Sequence, residues 1–397
     1  MYKFAPAKPN IGILATYMTY KSTYQAAGAA APAIERHFAK LLATALQQSE
    51  TGLAPEPSLK VIEAVIDITF WASLRREEGR SPKISLAYLP PFLAGQPLIF
   101  EERILLTPHV LTKLAPAVER SGIHLGVWDE EGILYVWGTT RAIPDCCFVI
   151  EVIEPGLLVV KHRRINGFGK FINVAVLKGD EIKIIDEYSK SLPDCPAVLT
   201  TLLDFNSSSG WNDSLNILVQ LAASMRAHGH GGSLLVVPFD SGTWRDSIIH
   251  PITYPVTPAF EELKILMQQE VNGRSIGLWQ EEVNRTIEGI AGLTAVDGAT
   301  IITDRLELMA FGAKIGLSAN SIPVEQMMVT EPVIGNAAIT IHPAQNGGTR
   351  HLSAAQFVFD QHDAIALVSS QDGRFTIFSW SPCEAIVHAH YVDALLL

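Results

Sequence analysis

Gly231-Gly232-Ser233-Leu234-Leu235-Val236-Val237 decides how this chain folds. A short, continuous apolar run entered through glycines reads as a strand buried on both faces, and such a strand needs a layer packed on each side of its sheet. Upstream, Asp213 or Ser214 is placed to cap a helix whose Leu215, Leu218, Leu221, Ala222 and Met225 fall on one face. Downstream, helices are expected over 257–269 and 278–290. Strands are expected over 299–303, 337–341, 364–369 and 375–378. Helices mixed with strands around a buried strand predict an α/β or α+β domain, a central mixed sheet flanked by helices.

The region before it has a different rhythm. Strand-like runs at 124–128, 133–137, 148–153, 157–162, 171–177 and 182–185 are separated by turn signals: Asp129-Glu130-Glu131-Gly132, Glu154-Pro155-Gly156, Asn166-Gly167 and Lys178-Gly179-Asp180. That spacing predicts an antiparallel meander. Ile84-Ser85-Leu86-Ala87-Tyr88 reads as a further strand, ended by Pro90-Pro91. Ile34, Phe38, Leu41, Leu42 and Leu46 recur at helical spacing and predict a helix over 31–48, whereas 59–68 fits helix or strand. Pro193 and Pro196 mark a boundary. The expected organisation is a mixed helical and strand region at 1–120, a meander at 121–200 and an α/β domain at 201–397.

Charge narrows the function classes. With Lys+Arg 30 against Asp+Glu 41, the net charge of −11 disfavours a nucleic-acid binder working by broad phosphate neutralisation. A local basic pocket for a small anion stays open. The four cysteines form no C-x-x-C pair, so neither a zinc site nor a disulfide framework is expected. Met1-Tyr2-Lys3-Phe4-Ala5-Pro6 lacks a signal-peptide layout, and no apolar run approaches the ~20 residues that span a bilayer. A cytoplasmic protein with reduced thiols and no membrane partner is expected.

Two motifs carry chemistry. Asp297-Gly298-Ala299 sets a carboxylate at a glycine turn before a strand, able to accept from a ribose hydroxyl or to help hold a divalent metal. Alone it reads first as a turn Asp bonded to its own backbone. Gly347-Gly348-Thr349-Arg350-His351 is more specific. Successive glycines free N–H groups for an anion, Thr349 adds a hydroxyl, and Arg350 offers a planar fork for phosphate. A helix starting at 353–357 would add its N-terminal partial charge. Alone, this motif reads evenly as an anion site or as a solvated loop.

In this order, the pair resembles the diadenylate cyclase domain, which carries Asp-Gly-Ala and Gly-Thr-Arg-His-Arg and joins two ATP molecules into cyclic di-AMP. The resemblance covers about 205–385. It includes the helix to Met225 with the 231–237 strand, and Ala364-Ile365-Ala366-Leu367-Val368-Ser369 followed by Asp372-Gly373. It implies that Asp297 sits by the ribose 3′-hydroxyl and any metal, that Thr349, Arg350 and His351 meet phosphates, and that Ser369 lines the pocket with Gly298, Ala299 and Gly348. If active, Asp297 is catalytic and Mg or Mn comes with the nucleotide; otherwise no cofactor is implied.

Departures from the family pattern stand at Val296 for its His, Leu352 for its second Arg, and Ser370 and Gln371 for its acidic residues. Each loses a group that would absorb developing charge or hold a cation. Binding needs fewer groups than catalysis. The pattern is similar to the cyclase-like sensor domains of bacteria called DACNV. The region from Trp137-Gly138-Thr139-Thr140-Arg141 through Lys161-His162-Arg163-Arg164 to Lys170-Phe171-Ile172-Asn173-Val174 looks like what precedes the cyclase-like part in such proteins. The resemblance implies a sensor binding a nucleotide or nucleotide-derived molecule without turnover, with an effector protein or a second copy as partner. The alternative is a divergent active cyclase that recruits Glu331 or Asp372.

Other candidates read as structure. Lys161-His162-Arg163-Arg164 fits a solvated hairpin better than a phosphate site. His228-Gly229-His230 lacks a third ligand and reads as a glycine turn. Cys146-Cys147 is expected to place one thiol in the core, and Trp128 and Trp137 to fill the meander core.

Overall fold

The computed structural model describes residues 22–120, 122–163, 171–186, 214–269, 276–319 and 321–397. Two compact units divide the chain, Met1–Ile185 and Asp186–Leu397. Both mix helices with sheets, the α+β class that the alternation of elements predicts. Arg164, the Asn166-Gly167 turn, Lys170, Pro193, Cys195, Pro196 and the cap Asp213 lie outside the described residues.

Unit 1 contains α1 (Gln25–Gln47), α2 (Leu59–Ser73), β1 (Ser85–Tyr88), β2 (Leu98–Leu105), α3 (Pro108–Leu114), β3 (His124–Glu130), β4 (Ile133–Thr140), β5 (Phe148–Glu154), β6 (Leu157–Arg163), β7 (Phe171–Lys178) and β8 (Glu181–Ile184). They form one eight-stranded sheet in the order β2-β4-β3-β1-β5-β6-β7-β8. All six strands read from 124 to 185 are present, but they do not form one continuous meander. β1 is inserted between β3 and β5, parallel to the first and antiparallel to the second. The physical reason is burial: all four β1 residues are buried, and a strand with no wet face belongs at a sheet centre.

α1 starts at Gln25, ahead of the expected 31. Ala26, Ala27, Ala30 and Ala31 are strong helix formers, and the cap comes from far along the chain. The amides of Thr23 and Tyr24 donate to Asp67 Oδ1 at 2.8 and 2.6 Å. The ambiguous 59–68 stretch is helical because Val61, Ile62, Val65, Ile66 and Ala72 line one buried face. Ile34, Phe38, Ile62 and Ile66 pack with Leu86, Leu125, Ile150 and Leu158 in the main core.

Several polar expectations change here. Lys161 is not solvated: its ammonium lies 2.5 Å from Glu151 and 4.5 Å over the Phe171 ring. Arg163 donates to the Ile143 carbonyl and pairs with Asp145 at 3.4 Å. Strand pairing draws Lys161 under cover, where partners replace water, while Arg163 stays partly exposed. Cys146 and Cys147 are both buried, because Cys146 precedes β5 at φ +59° and so escapes strand alternation. Trp137 is core as expected, while Trp128 is half-buried and stacks on Tyr88 at 4.9 Å.

Burial also makes unit 1 acid-sensitive. Desolvation lowers the His37 pKa to about 3 and that of His124 to about 4; for His124, Glu151 opposes the shift and Lys161 adds to it. His124 Nδ1 lies 2.7 Å from Ser85 Oγ, which donates to Glu151 Oε1 at 3.0 Å. Between pH ~6.5 and these lowered values the unfolded chain binds protons that the folded unit refuses, so stability falls as pH falls through that window. For His124 alone the loss from pH 7 to pH 4 is roughly 3 kcal/mol. Urea unfolding across this range should show it, and His124→Gln should flatten the slope. An unchanged slope in that variant would remove His124 from the account.

Unit 2 contains α4 (Ser214–Ala227), β9 (Gly232–Val237), β10 (Tyr254–Phe260), α5 (Glu262–Gln268), α6 (Ile276–Leu293), β11 (Ala299–Thr303), β12 (Leu308–Ala313), β13 (Met327–Thr330), β14 (Ile339–Ile341), α7 (Thr349–Asp360), β15 (Ile365–Ser369), β16 (Phe375–Ser381) and β17 (Ile386–Tyr391). The nine-stranded sheet runs β10-β12-β11-β9-β15-β16-β17-β13-β14. β9 is buried along its whole length, as its sequence predicts. Leu235, Val237, Ile301, Ala366, Val368 and Phe378 pack against Ala354, Ala355, Phe357 and Val358 of α7. The expected helix over 257–269 is instead the edge strand β10 followed by the short α5. Tyr254, Pro255 and Phe260 pair with β12, so the chain is still extended up to 260 and the helix starts only at Glu262; an edge strand tolerates Pro255 and Pro258. No described helix is long and apolar enough to cross a membrane.

Candidate functional site

Strand register brings the two motifs together. β9 and β11 are parallel with Ser233 opposite Ala299. β15 is antiparallel to β9 with Ser369 opposite Gly232. β12 is antiparallel to β11 with Ala313 opposite Ala299. Gly231, Asp297-Gly298, Lys314 and Ser370 therefore all leave the sheet at the same end. Arg350 joins them: a Cβ on Gly231 would sit 3.1 Å from Arg350 Nη1 and 3.2 Å from the Ser369 carbonyl oxygen.

Glycine is required where the turns touch. Gly298 has φ +111°, and a Cβ there would lie 2.5 Å from the Gly312 carbonyl carbon. Gly312, at φ +65°, lies under the Tyr254 ring, which stacks on Phe311 at 4.7 Å. Asp297 stands at this crossing with its side chain 87% exposed, ion-paired to Lys314. Its carboxyl is held below the usual range first by the hydrogen bond and charge of Lys314, with a smaller contribution from Arg350. Ala299 is buried at the start of β11 and serves the sheet.

α7 begins at Thr349, four residues before the expected start, with Gly348 at its N-cap and no side-chain cap. Thr349 and Arg350 occupy its first turn, and their amides have no partner among the described residues. Oriented N–H groups and the helix end give this corner partial positive charge. His351 is turned the other way. Its ring is buried, with Nε2 3.3 Å from Thr376 Oγ1 and its edge toward Phe378. Desolvation lowers its pKa, Asp372 opposing and Arg374 adding. His351 thus props the Gly347 turn from below: a Cβ at Gly347 would sit 3.0 Å from its Nδ1. Ser369 is buried beneath the same corner.

The departing positions have partners of their own. Ser370 Oγ donates to Asp372, whose pKa it lowers, and Gln371 Nε2 donates to the His230 carbonyl at 3.4 Å. Glu331 follows β13, three strands from β15, a lateral distance of about 14 Å. His228 and His230 stack at 5.7 Å, and among the described residues no three His, Cys, Asp or Glu gather to hold a metal. A hard divalent cation wants six or more oxygens, carboxylates above all. Asp297 offers a single carboxylate already facing an ammonium and a guanidinium, so this donor set does not fit Mg or Mn.

Lys314 escaped the sequence reading. It follows a strand the reading did not expect, and no local motif marks it; the available signal was Gly312, a glycine inside a strand-like run. At the opposite strand ends lies a cavity of about 200 Å³, lined by Phe239, Trp244, Arg245 and Glu307. There Glu307 is buried and satisfied by Lys264 at 2.5 Å and Thr303 at 3.2 Å.

No curated protein matches this chain. Residues 51–141 match a family model described as "Probable sensor domain DACNV". The matched segment runs from before α2 to the end of β4 within unit 1, and the Asp297 and Arg350 motifs lie outside it. The chain therefore carries, in unit 1, a segment like a sensor domain of the DACNV type.

Proposed function

We propose that unit 2 binds a nucleotide or nucleotide-derived molecule at the corner formed by Gly231, Asp297, Lys314, Thr349 and Arg350, and that the chain senses this ligand without converting it. The carrying observation is the convergence of a guanidinium, an ammonium, two unpartnered helix-start amides and one exposed carboxylate at one sheet end. Cations and amides suit phosphate, the carboxylate suits ribose hydroxyls, and the Tyr254–Phe311 stack offers an aromatic face to a base. Sensing rather than synthesis follows from Leu352, Ser370 and Gln371, which supply no charge for a transition state. The DACNV-type match in unit 1 supports a sensory role.

Calorimetric titration of the full chain with ATP and with cyclic di-AMP tests this. Wild type is expected to bind at least one of them, Arg350→Ala to weaken that binding roughly tenfold to a hundredfold, and no cyclic di-AMP to form from ATP. Equal affinities in wild type and Arg350→Ala would remove the ligand from this corner. Sustained cyclic di-AMP production, lost in Asp297→Asn, would replace sensing by synthesis.

A further inference from the structure

Lys314 is the residue at this corner that no motif explains. Its backbone is fixed: its carbonyl accepts from Ile249 N at 2.8 Å, and the next residue bridges to Ile248. Its side chain, 49% exposed, reaches across the β11–β12 hairpin to Asp297 Oδ2. An ammonium carries three donors, and one on Asp297 leaves two for a ligand. A neighbouring carboxylate does not compete for the place of a metal, since Asp372 is engaged by Ser370, by the Arg374 amide at 3.2 Å and by Arg374 Nε at 3.8 Å.

We propose that Lys314 stands in the place of a divalent cation, so that this corner holds an anionic nucleotide through Lys314 and Arg350 with no metal ion. The proposal rests on the nucleotide reading of the site and adds how the charge is met. An ammonium fixed against Asp297 orients that carboxylate as a divalent ion would, and adds its positive charge to that of Arg350 at the phosphate. A dication entering beside an ammonium and a guanidinium would meet repulsion from both, with one carboxylate to offset it. The downward shift of the Asp297 pKa, caused first by Lys314, agrees with a carboxylate that stays ionised against this partner.

The test is titration of the full chain with ATP and with cyclic di-AMP, each in excess EDTA and in excess Mg²⁺, together with titration by Mn²⁺ alone followed by its paramagnetic resonance. For cyclic di-AMP, a weak chelator of metal, the expected affinities agree within about twofold in the two conditions, and Lys314→Gln weakens both about tenfold. Thermal melting of Lys314→Gln should match wild type, as its side chain is half exposed. Mn²⁺ alone is expected not to bind at Asp297. Nucleotide binding seen only with Mg²⁺, or Mn²⁺ binding abolished by Asp297→Asn, overturns this proposal and leaves the nucleotide reading standing. Tighter Mg²⁺-dependent binding in Lys314→Gln overturns it too, because it makes Lys314 a competitor of the metal. Absence of nucleotide binding in both conditions removes the nucleotide reading itself, and this proposal with it.

Discussion

Gly298→Ala is expected to lower the melting temperature of unit 2 by roughly 5–20 °C, the shift that about 2–6 kcal/mol produces in a domain of this size. Two effects add. At φ +111° an L side chain is strained whatever the space around it, and here there is no space. The new Cβ would lie 2.5 Å from the Gly312 carbonyl carbon and 2.8 Å from Gly312 Cα and its carbonyl oxygen. All three are backbone atoms, so relief requires β11 and β12 to part, and with them the register that sets Lys314 against Asp297. Gly335→Ala is the control: φ is +90° with nothing within 4 Å, and its cost should be strain alone, about 1–2 kcal/mol. Calorimetric melting of the two variants separates the effects. Equal shifts would mean that the hairpin gives way easily and that the close approach at Gly298 carries little weight.

The same crossing shows where sequence stops being enough. The continuous apolar run of β9 announced its burial, and the six strands of 124–185 were visible because turn residues punctuate them. β12, β13 and β17 were not visible. Leu308–Ala313 is short, lacks polar alternation and is interrupted by Gly312, and its strand character comes from pairing with β11 and β10. Of the helix suggested over 257–269, Glu262–Gln268 is helical, while 257–260 belongs to the edge strand β10. At the candidate site, Asp297, Gly348, Thr349 and Arg350 were legible because motifs carry them on contiguous residues. The orientations of His351 and Ser369 were not, since a residue inside a short motif looks the same whether its side chain turns outward or into the core. Lys314 needed the fold, because only the β11–β12 register places it opposite Asp297. The sensor match fell on 51–141 and meets the segment 137–174, whose sequence looked like DACNV proteins, only at 137–141.

That matched region contains the second large effect. Trp137 lies over Gly126, the residue across the β3–β4 hairpin from Gly138. A Cβ on Gly126 would fall 2.0 Å from Trp137 Cζ2 and 2.1 Å from its Cε2. Gly126→Ala must therefore expel the indole from a site where it is buried with Ala87, Leu89, Cys147 and Val149, and where its Nε1 donates to the Leu89 carbonyl at 2.8 Å. The expected loss is about 3–5 kcal/mol, close to that of Trp137→Ala, because both variants empty the same space. If this is the cause, the two changes cannot add. In the Trp137→Ala background the new methyl enters room the indole has left, so the double variant should be no less stable than Trp137→Ala alone. The coupling energy in urea unfolding should then be about 3 kcal/mol, favouring the double variant. Additive losses would show that Gly126→Ala acts on the backbone of β3, at the bulge that follows it, and not through the ring. The cycle distinguishes a glycine kept for its conformation from one kept for an aromatic neighbour. At Gly126, where φ is not positive, the geometry says it is the neighbour.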